Sequence, residues 1–178
     1  EAPPPAAAQP ASKAAFKDTF TSQYVSTPLA LHRSLFSPWE AEIYQLPLMK
    51  NHPELFSGKN VHEAATGVGL TSIYAAKLGA KKVVATDIEP LAVEYTQKNA
   101  KAAGVGGAVE ARLVPRQSPG AFSAVKPEEK FDVILANLPY VLDLEAPAAG
   151  VPTNDNGALI TSLIDGLQAH LAPGGRAI

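Results

Sequence analysis

The chain of 178 residues contains no cysteine. Disulfides, thiolate metal sites and cysteine nucleophiles are therefore excluded, and the redox compartment stays undetermined. No apolar run approaches the roughly 18 residues that a membrane-spanning helix needs, so no membrane association is predicted. The formal net charge is only −2, which gives no general attraction to polyanions. Nucleic-acid binding would therefore need a local basic patch.

What is present is the balance of an ordinary globular protein, with 46% apolar and 18% charged residues around one expected core. We predict three parts: a Pro/Ala-rich tail or linker over residues 1–15, an N-terminal helical segment over 16–59 that packs on the core, and the core itself over 60–178. A cytoplasmic location is expected. An exported mature form is the alternative, because such a start also follows removal of a signal peptide.

Short β-rich runs alternate with longer helical stretches through the core, which predicts a parallel sheet covered by helices. Pro47 is expected to end or kink the first helix. The final residues, 171–178, predict a turn into a strand that stops almost as it begins, so the last strands of the sheet are expected to be missing from this chain. The predicted strands are 60–64, 82–86, 108–114 and 131–136, and the predicted helices are 38–46, 69–78, 90–103 and 156–171.

Two glycines, Gly67 and Gly69, lie where the first core strand turns into a helix. Their spacing permits positive φ and close approach to a ligand, although a plain tight turn explains a glycine pair equally well. Ligands of open parallel sheets bind at the carboxyl ends of the strands, so Asp87 should face the same crevice and accept hydrogen bonds from ribose hydroxyls. The combination predicts an adenosine-containing cofactor. Ser72 occupies the third glycine position of a dinucleotide site, which disfavours that alternative.

The stretches VHEAATGVG (61–69) and GAKKVVATDIEP (79–90) resemble the first two motifs of class I S-adenosylmethionine-dependent methyltransferases. The resemblance implies a Rossmann-like, doubly wound, mostly parallel α/β sheet and S-adenosylmethionine as the cofactor. It places Asp87 at the ribose and Ile88 beside the adenine. The methionine portion would meet Glu63 and the turn, that is Ala65, Thr66, Gly67 and Gly69.

The chain departs from that family at two points. Ala65 stands where the family usually has the first glycine of the turn, which narrows the backbone choices. The family also commonly has an acidic residue after the third core strand to hold the adenine amino group, whereas this chain has VPRQS (114–118). Gln117 or Ser118 could accept that hydrogen bond instead.

The tetrapeptide NLPY (137–140) follows the fourth core strand, at the end that faces the predicted cofactor. Methyl transfer to a planar nitrogen requires that the nitrogen be oriented, because its lone pair is delocalised. The Asn137 side-chain oxygen and a carbonyl near Leu138 can accept its N–H groups, and Tyr140 offers a face to a planar group. NLPY resembles the Asn-Pro-Pro-Tyr motif of planar-nitrogen methyltransferases, which implies that Asn137, Pro139 and Tyr140 are catalytic and that Asn137 also meets the cofactor. A buried strand end followed by a turn is the structural alternative.

The expected function is therefore S-adenosylmethionine-dependent N-methylation, with a protein glutamine amide as the first acceptor and a protein rather than a nucleic acid as the partner. LFSPWEAE (35–42) is loosely similar to a cofactor-closing stretch of release-factor glutamine methyltransferases. AAKLGAKKVV (75–84) also resembles enzymes that modify ribosomal-protein lysines. An RNA or DNA base methyltransferase and a non-catalytic binding protein remain the alternatives. The four histidines have no metal-ligand spacing, so no metal site is predicted.

Overall fold

The computed structural model describes residues 18–138 and 157–178. Its first elements are two short strands, β1 (Thr19–Phe20) and β2 (Leu29–Ala30), which pair antiparallel. Residues 16–59 were predicted as a helical segment, with one helix at 38–46, and this hairpin was not included. Each strand has only two residues, which is too short for an alternating hydrophobic pattern to reveal.

The first helix, α1 (Trp39–Asn51), begins after Pro38 and contains Pro47. Pro47 was expected to end or kink this helix; it does not end it, since the helix continues for four more residues to Asn51. Proline lacks an N–H and so removes one helical hydrogen bond. Leu46 and Met49, on either side of Pro47, are fully buried in the main hydrophobic core, and their burial favours continuation of the helix. A short 3-10 helix, Pro53–Leu55, follows.

The core is one parallel sheet built from β3 (Asn60–Ala64), β4 (Lys82–Asp87), β5 (Val109–Leu113), β6 (Phe131–Ala136) and β7 (Leu171–Ala177). The strands lie in the order β5-β4-β3-β6-β7, so the chain builds outward from β3 in one direction and then returns to its other side. This reversal, between β3 and β6, is where open α/β sheets bind their ligands. The expected doubly wound parallel architecture is confirmed.

Three helices connect these strands: α2 (Leu70–Lys77), α3 (Pro90–Ala102) and α4 (Ala158–His170). Successive side chains of a strand point to opposite faces of the sheet, so both faces carry apolar residues that the helices cover. Val61 and Val83 face the core shared with α1, α2 and α3. Val84 and Ile134 face the other way, where they belong to a smaller cluster with Phe122 and with Leu163 and Leu167 of α4.

The last strand, β7, begins at Leu171, earlier than predicted, since the sequence placed a helix exit and a turn before the strand. It pairs with β6 at Phe131↔Leu171 and again at Val133↔Arg176, so the proline-glycine stretch between them bulges out of register. The predicted turn is therefore present as an irregularity inside the strand. Within the described residues, no helix has the length and apolar character needed to cross a bilayer.

Candidate functional site

A cavity of about 630 Å³ opens at the carboxyl ends of β3, β4 and β6. Its walls come from four parts of the chain: residues 34–41 of the N-terminal segment, the turn after β3, the end of β4 with the loop after β5, and the end of β6. Leu159 of α4 completes the lining. A volume of this size is typical of small-ligand and cofactor sites. The cavity lies at the topological reversal of the sheet, as the sequence predicted for its ligand crevice.

The turn between β3 and α2 carries three positive φ angles within five residues: Ala65 (57°), Gly67 (59°) and Gly69 (86°). A Cβ at Gly67 would meet no atom within 4 Å, so this glycine leaves open space beside the backbone. A Cβ at Gly69 would lie 2.9 Å from the Thr96 side chain, so α2 and α3 can pack closely only with glycine there. Among the described non-glycine residues, Ala65 alone has a positive φ, at the position where the sequence departs from the family pattern.

Glu63 is almost fully buried near the end of β3, and its carboxyl group hydrogen-bonds the turn and the start of α2. Its Oε2 accepts hydrogen bonds from the Thr66 hydroxyl at 2.8 Å, from the Ser72 backbone N–H at 3.0 Å and from the Ser72 hydroxyl. Burial raises the pKa of Glu63 to about 7, although the hydrogen bonds from Ser72 and Thr66 act in the opposite direction. Ser72, which disfavoured a dinucleotide site in the sequence analysis, is thus a hydrogen-bond partner of Glu63.

Asp87 is the last residue of β4, and its carboxylate connects the glycine turn after β3 to the end of β4. Its Oδ2 accepts the Gly67 N–H at 2.9 Å, and its Oδ1 accepts the Glu89 N–H at 2.9 Å. Burial raises the pKa of the Asp87 carboxyl above its usual range. A carboxylate has about four acceptor positions, so the two backbone bonds leave capacity for two hydroxyl donors. The neighbouring Ile88 also lines the cavity.

The charged residues of the cavity lining are mostly acidic. Arg116 is the basic side chain of the described lining, and it donates to Glu89 Oε1 at 2.8 Å, so its charge is compensated. The charged lining residues are Glu40, Glu63, Asp87, Glu89 and Arg116. A surplus of carboxylates in a concave site raises the local concentration of cationic ligands.

The loop after β5 reaches the cavity with different residues from those predicted. Val114 and Arg116 line it, whereas Gln117 and Ser118 are exposed and do not belong to the lining. The Ser118 N–H donates to the Pro115 carbonyl at 3.1 Å, which makes residues 116 and 117 the corner of a tight turn. The structure therefore does not bring Gln117 together with the other predicted cofactor residues.

Directly after β6, Asn137 and Leu138 line the same cavity as the glycine turn. Pro139 and Tyr140, the other residues of the predicted catalytic motif, lie outside the described residues. Of the predicted set, the structure thus brings Glu63, Ala65, Thr66, Gly67, Asp87, Ile88 and Asn137 around one cavity, and Gly69 lies behind it against α3.

Residues 34–41 form the remaining wall, in the stretch whose resemblance suggested a segment that closes over the cofactor. Phe36 and Pro38 line the cavity, whereas Trp39 does not. Glu42 anchors this segment to the N-terminal hairpin region, because its carboxylate accepts the Ser22 hydroxyl at 2.6 Å and the Gln23 N–H at 2.9 Å.

His62 precedes Glu63 in β3, and its ring packs against the rings of Phe122 and Phe131. It is fully buried, and burial lowers its pKa to about 3, so it is neutral. Its Nε2 lies 3.1 Å from the Thr86 hydroxyl, which itself donates to the Glu63 carbonyl at 3.3 Å. This arrangement places the ring proton on Nε2 and leaves Nδ1 a buried acceptor with no partner in the described part of the chain.

Comparison with known proteins gives one family and several relatives. Residues 48–171 match the family model described as "Ribosomal protein L11 methyltransferase (PrmA)". The chain is 39% identical, over 113 residues, to a Methanocaldococcus jannaschii protein provisionally named a protein N5-glutamine methyltransferase, covering 64% of this chain and 51% of that one. It is 36% identical, over 119 residues, to the ribosomal protein L11 methyltransferase of Macrococcus caseolyticus, covering 66% of this chain and 35% of the relative.

Among solved structures, the fold is similar to a SAM-dependent methyltransferase from Thiobacillus denitrificans in complex with S-adenosyl-L-homocysteine. The TM-score is 0.53 at 22% identity, over 83% of this chain and 49% of that chain. This likeness concerns the fold. The present chain spans about half the length, or less, of the curated relatives that it matches.

Proposed function

The chain belongs to the ribosomal protein L11 methyltransferase (PrmA) family, and from this premise we propose that it binds S-adenosylmethionine in the 630 Å³ cavity and transfers its methyl group to a protein nitrogen. The observation that carries the proposal is the convergence of Asp87, the Gly67 turn and Asn137 around that single cavity. A cytoplasmic location accords with it, since the proposed cofactor is made in the cytoplasm.

The residues present fit this cofactor. Asp87 has acceptor capacity left for two ribose hydroxyls, and Gly67 leaves open space where the backbone can approach a ligand. Ile88 and Val114 offer apolar surface beside Asp87, which suits an adenine ring. The acidic surplus of the lining complements the positive charges of an ammonium and a sulfonium group. S-adenosylmethionine, when bound, supplies an electrophilic methyl group.

The remaining chemistry falls to the chain's own residues. The acceptor nitrogen must be held in line with that methyl group, and positioning of this kind accounts for a large part of rate enhancement in many enzymes. Asn137 lies at the carboxyl end of β6 on the cavity wall, where its side-chain oxygen can accept an N–H of the acceptor. Leu138, Phe36 and Leu35 add apolar surface to the cavity, which disfavours water beside the reacting atoms.

A protein glutamine amide is the proposed acceptor. A planar amide nitrogen needs hydrogen-bond acceptors rather than a strong base, and the NLPY segment begins with such an acceptor. The provisional name of the Methanocaldococcus jannaschii relative agrees with this choice. The family description instead favours an acceptor on a ribosomal protein. In that case the same site would methylate a different protein nitrogen.

Calorimetry with S-adenosylhomocysteine tests the cofactor half of the proposal. We expect saturable binding with a 1:1 ratio. A chain that is folded by circular dichroism but binds no S-adenosylhomocysteine at millimolar concentration would contradict it and would favour a non-catalytic role.

The acceptor is tested by tritiated methyl transfer to fractionated cell extract, with protein and RNA counted separately and modified peptides mapped by mass spectrometry. We expect label in protein, on glutamine, and at least a 100-fold lower rate for Asn137→Ala. Label on a ribosomal-protein amine would support the second acceptor. Label confined to RNA would overturn both.

A further inference from the structure

One face of α3 holds the glycine turn through two consecutive carbonyl groups. Thr96 Oγ1 donates to the Gly67 carbonyl at 3.2 Å, and Asn99 Nδ2 donates to the Val68 carbonyl at 2.9 Å. Both side chains are buried, Asn99 with 1% of its surface exposed. Because a trans peptide directs its C=O and N–H to opposite sides, carbonyls turned toward α3 turn the Val68 N–H away from α3. The hydrogen bonds therefore fix which backbone donors the turn presents.

The same Asn99 carboxamide also holds the N-terminal segment. Its Oδ1 accepts the Ala30 N–H at 2.8 Å, and its Nδ2 donates to the Ala30 carbonyl at 3.1 Å. These two bonds reproduce the pairing that a neighbouring strand would give β2. Ala30 lies just before residues 34–41, the N-terminal segment that supplies another wall of the cavity. One side chain on α3 thus uses its acceptor and both donors to join two walls of the cavity.

Asn99 itself is not part of the cavity lining. We propose that Asn99 is a positioning residue: it sets the distance between the glycine turn and the N-terminal segment, so that cofactor affinity depends on a side chain that the cofactor does not touch. This inference rests on the proposed function. A purely structural Asn99 would contribute to the stability of the fold and leave the affinity of the folded protein unchanged.

The sharpest test is Asn99→Asp, which keeps the shape and the acceptor for the Ala30 N–H but places a carboxylate oxygen against two carbonyl groups. We expect S-adenosylhomocysteine to bind at least tenfold more weakly by calorimetry. Gln97→Glu is the matched control, since it makes the same chemical change two positions away on α3. There the amide donates to the Val109 carbonyl at 3.4 Å, and Gln97 does not line the cavity. We expect less than a twofold change for it.

A second measurement has a wild-type arm that does not depend on how well the variant folds. Hydrogen exchange of the wild-type chain, with and without S-adenosylhomocysteine, should show residues 29–41 and 64–70 gaining protection together. In Asn99→Asp, protection should increase only in residues 64–70. Failure of residues 29–41 to respond in the wild type would overturn the inference, as would an Asn99→Asp chain that unfolds at lower temperature but binds as tightly as Gln97→Glu. If the folded wild type binds no S-adenosylhomocysteine, the proposed function fails as well, and the two failures are thereby distinguished.

Discussion

The backbone N–H of Gly67 donates to Asp87 Oδ2 across the gap between β3 and β4. Through this bond the residue that would hold the ribose also fixes the turn that would meet the methionine portion. A displacement of Asp87 would therefore also displace the glycine turn, and the reverse.

Asp87→Asn should weaken S-adenosylhomocysteine binding by about tenfold to a hundredfold, because hydrogen bonds to a charged group contribute roughly 1.5–3 kcal/mol. Calorimetry measures the change. Asp132→Asn is the control, since Asp132 Oδ2 also accepts a backbone N–H, from Asn60 at 2.8 Å, but does not line the cavity. Equal losses of affinity in both variants would contradict a ribose-binding role for Asp87.

Ala65→Gly should leave the free energy of unfolding unchanged or raise it by up to about 1 kcal/mol. Left-handed backbone costs an L-residue roughly 1–2 kcal/mol, and glycine returns part of that gain because it is more flexible when unfolded. Urea unfolding measures the difference. The neighbouring Ala64, in β3, is the control: Ala64→Gly should destabilise the fold by about 1 kcal/mol. Equal destabilisation by the two changes would show that Ala65 is not strained.

Glu63→Gln should change how stability depends on pH. The pKa of Glu63 is raised to about 7 in the folded protein, above its value of 4.5 when unfolded, so the folded state keeps a proton that the unfolded state loses. The contribution of Glu63 protonation to the free energy of unfolding is fully present below pH 4.5 and is lost as the pH rises through about 7. Relative to Glu63→Gln, the wild type should therefore lose on the order of 3 kcal/mol between pH 4.5 and 8.

The comparison with Glu63→Gln is needed because His62 acts in the opposite sense. Its pKa is lowered to about 3, so its contribution is present above pH 6.5 and is lost as pH falls. Subtracting the two unfolding curves cancels the histidine. A pH-independent difference between wild type and Glu63→Gln would contradict the raised pKa.

Gly67→Ala and Gly69→Ala should fail in different ways. At Gly69 the new Cβ would lie 2.9 Å from the Thr96 side chain and 3.1 Å from its Cα, so we expect a loss of about 2–4 kcal/mol in the free energy of unfolding. At Gly67 the Cβ meets nothing within 4 Å, so only the backbone strain of about 1–2 kcal/mol applies. For each kcal/mol lost in the free energy of unfolding, Gly67→Ala should therefore reduce cofactor affinity more than Gly69→Ala does. The reverse pattern would place the ligand elsewhere.

The regular core was predictable from sequence. Strands β3 and β6 have the predicted bounds. For β6 the reason is that interior parallel strands are short, mostly apolar runs; β3 was recognised from the glycine turn that follows it. The predicted methyltransferase family and the doubly wound fold are confirmed as well. The rule that ligands sit at the carboxyl ends of strands brought Glu63, Asp87 and Asn137 together correctly.

What the sequence did not disclose are features set by tertiary contacts. The direction of side chains at the corner of the loop after β5 decides that Arg116, and not Gln117, reaches the cavity. The roles of Ser72 and Asn99 depend on buried hydrogen bonds to residues distant in sequence, and no local pattern indicates such partners. The site residues themselves remain predictions until the variants are measured.

The reversal of strand order at β3 also has a consequence for the order in which the strands associate during folding. Gly67 and Asp87 are 20 positions apart, whereas the bond between Asn60 and Asp132 that links β3 to β6 closes a separation of 72 positions. The entropy lost on closing a chain segment increases with its length, so β3 and β4 should associate before β6 arrives. The part of the cavity that contains Asp87 and the glycine turn should then form in the nascent polypeptide before the wall that carries Asn137.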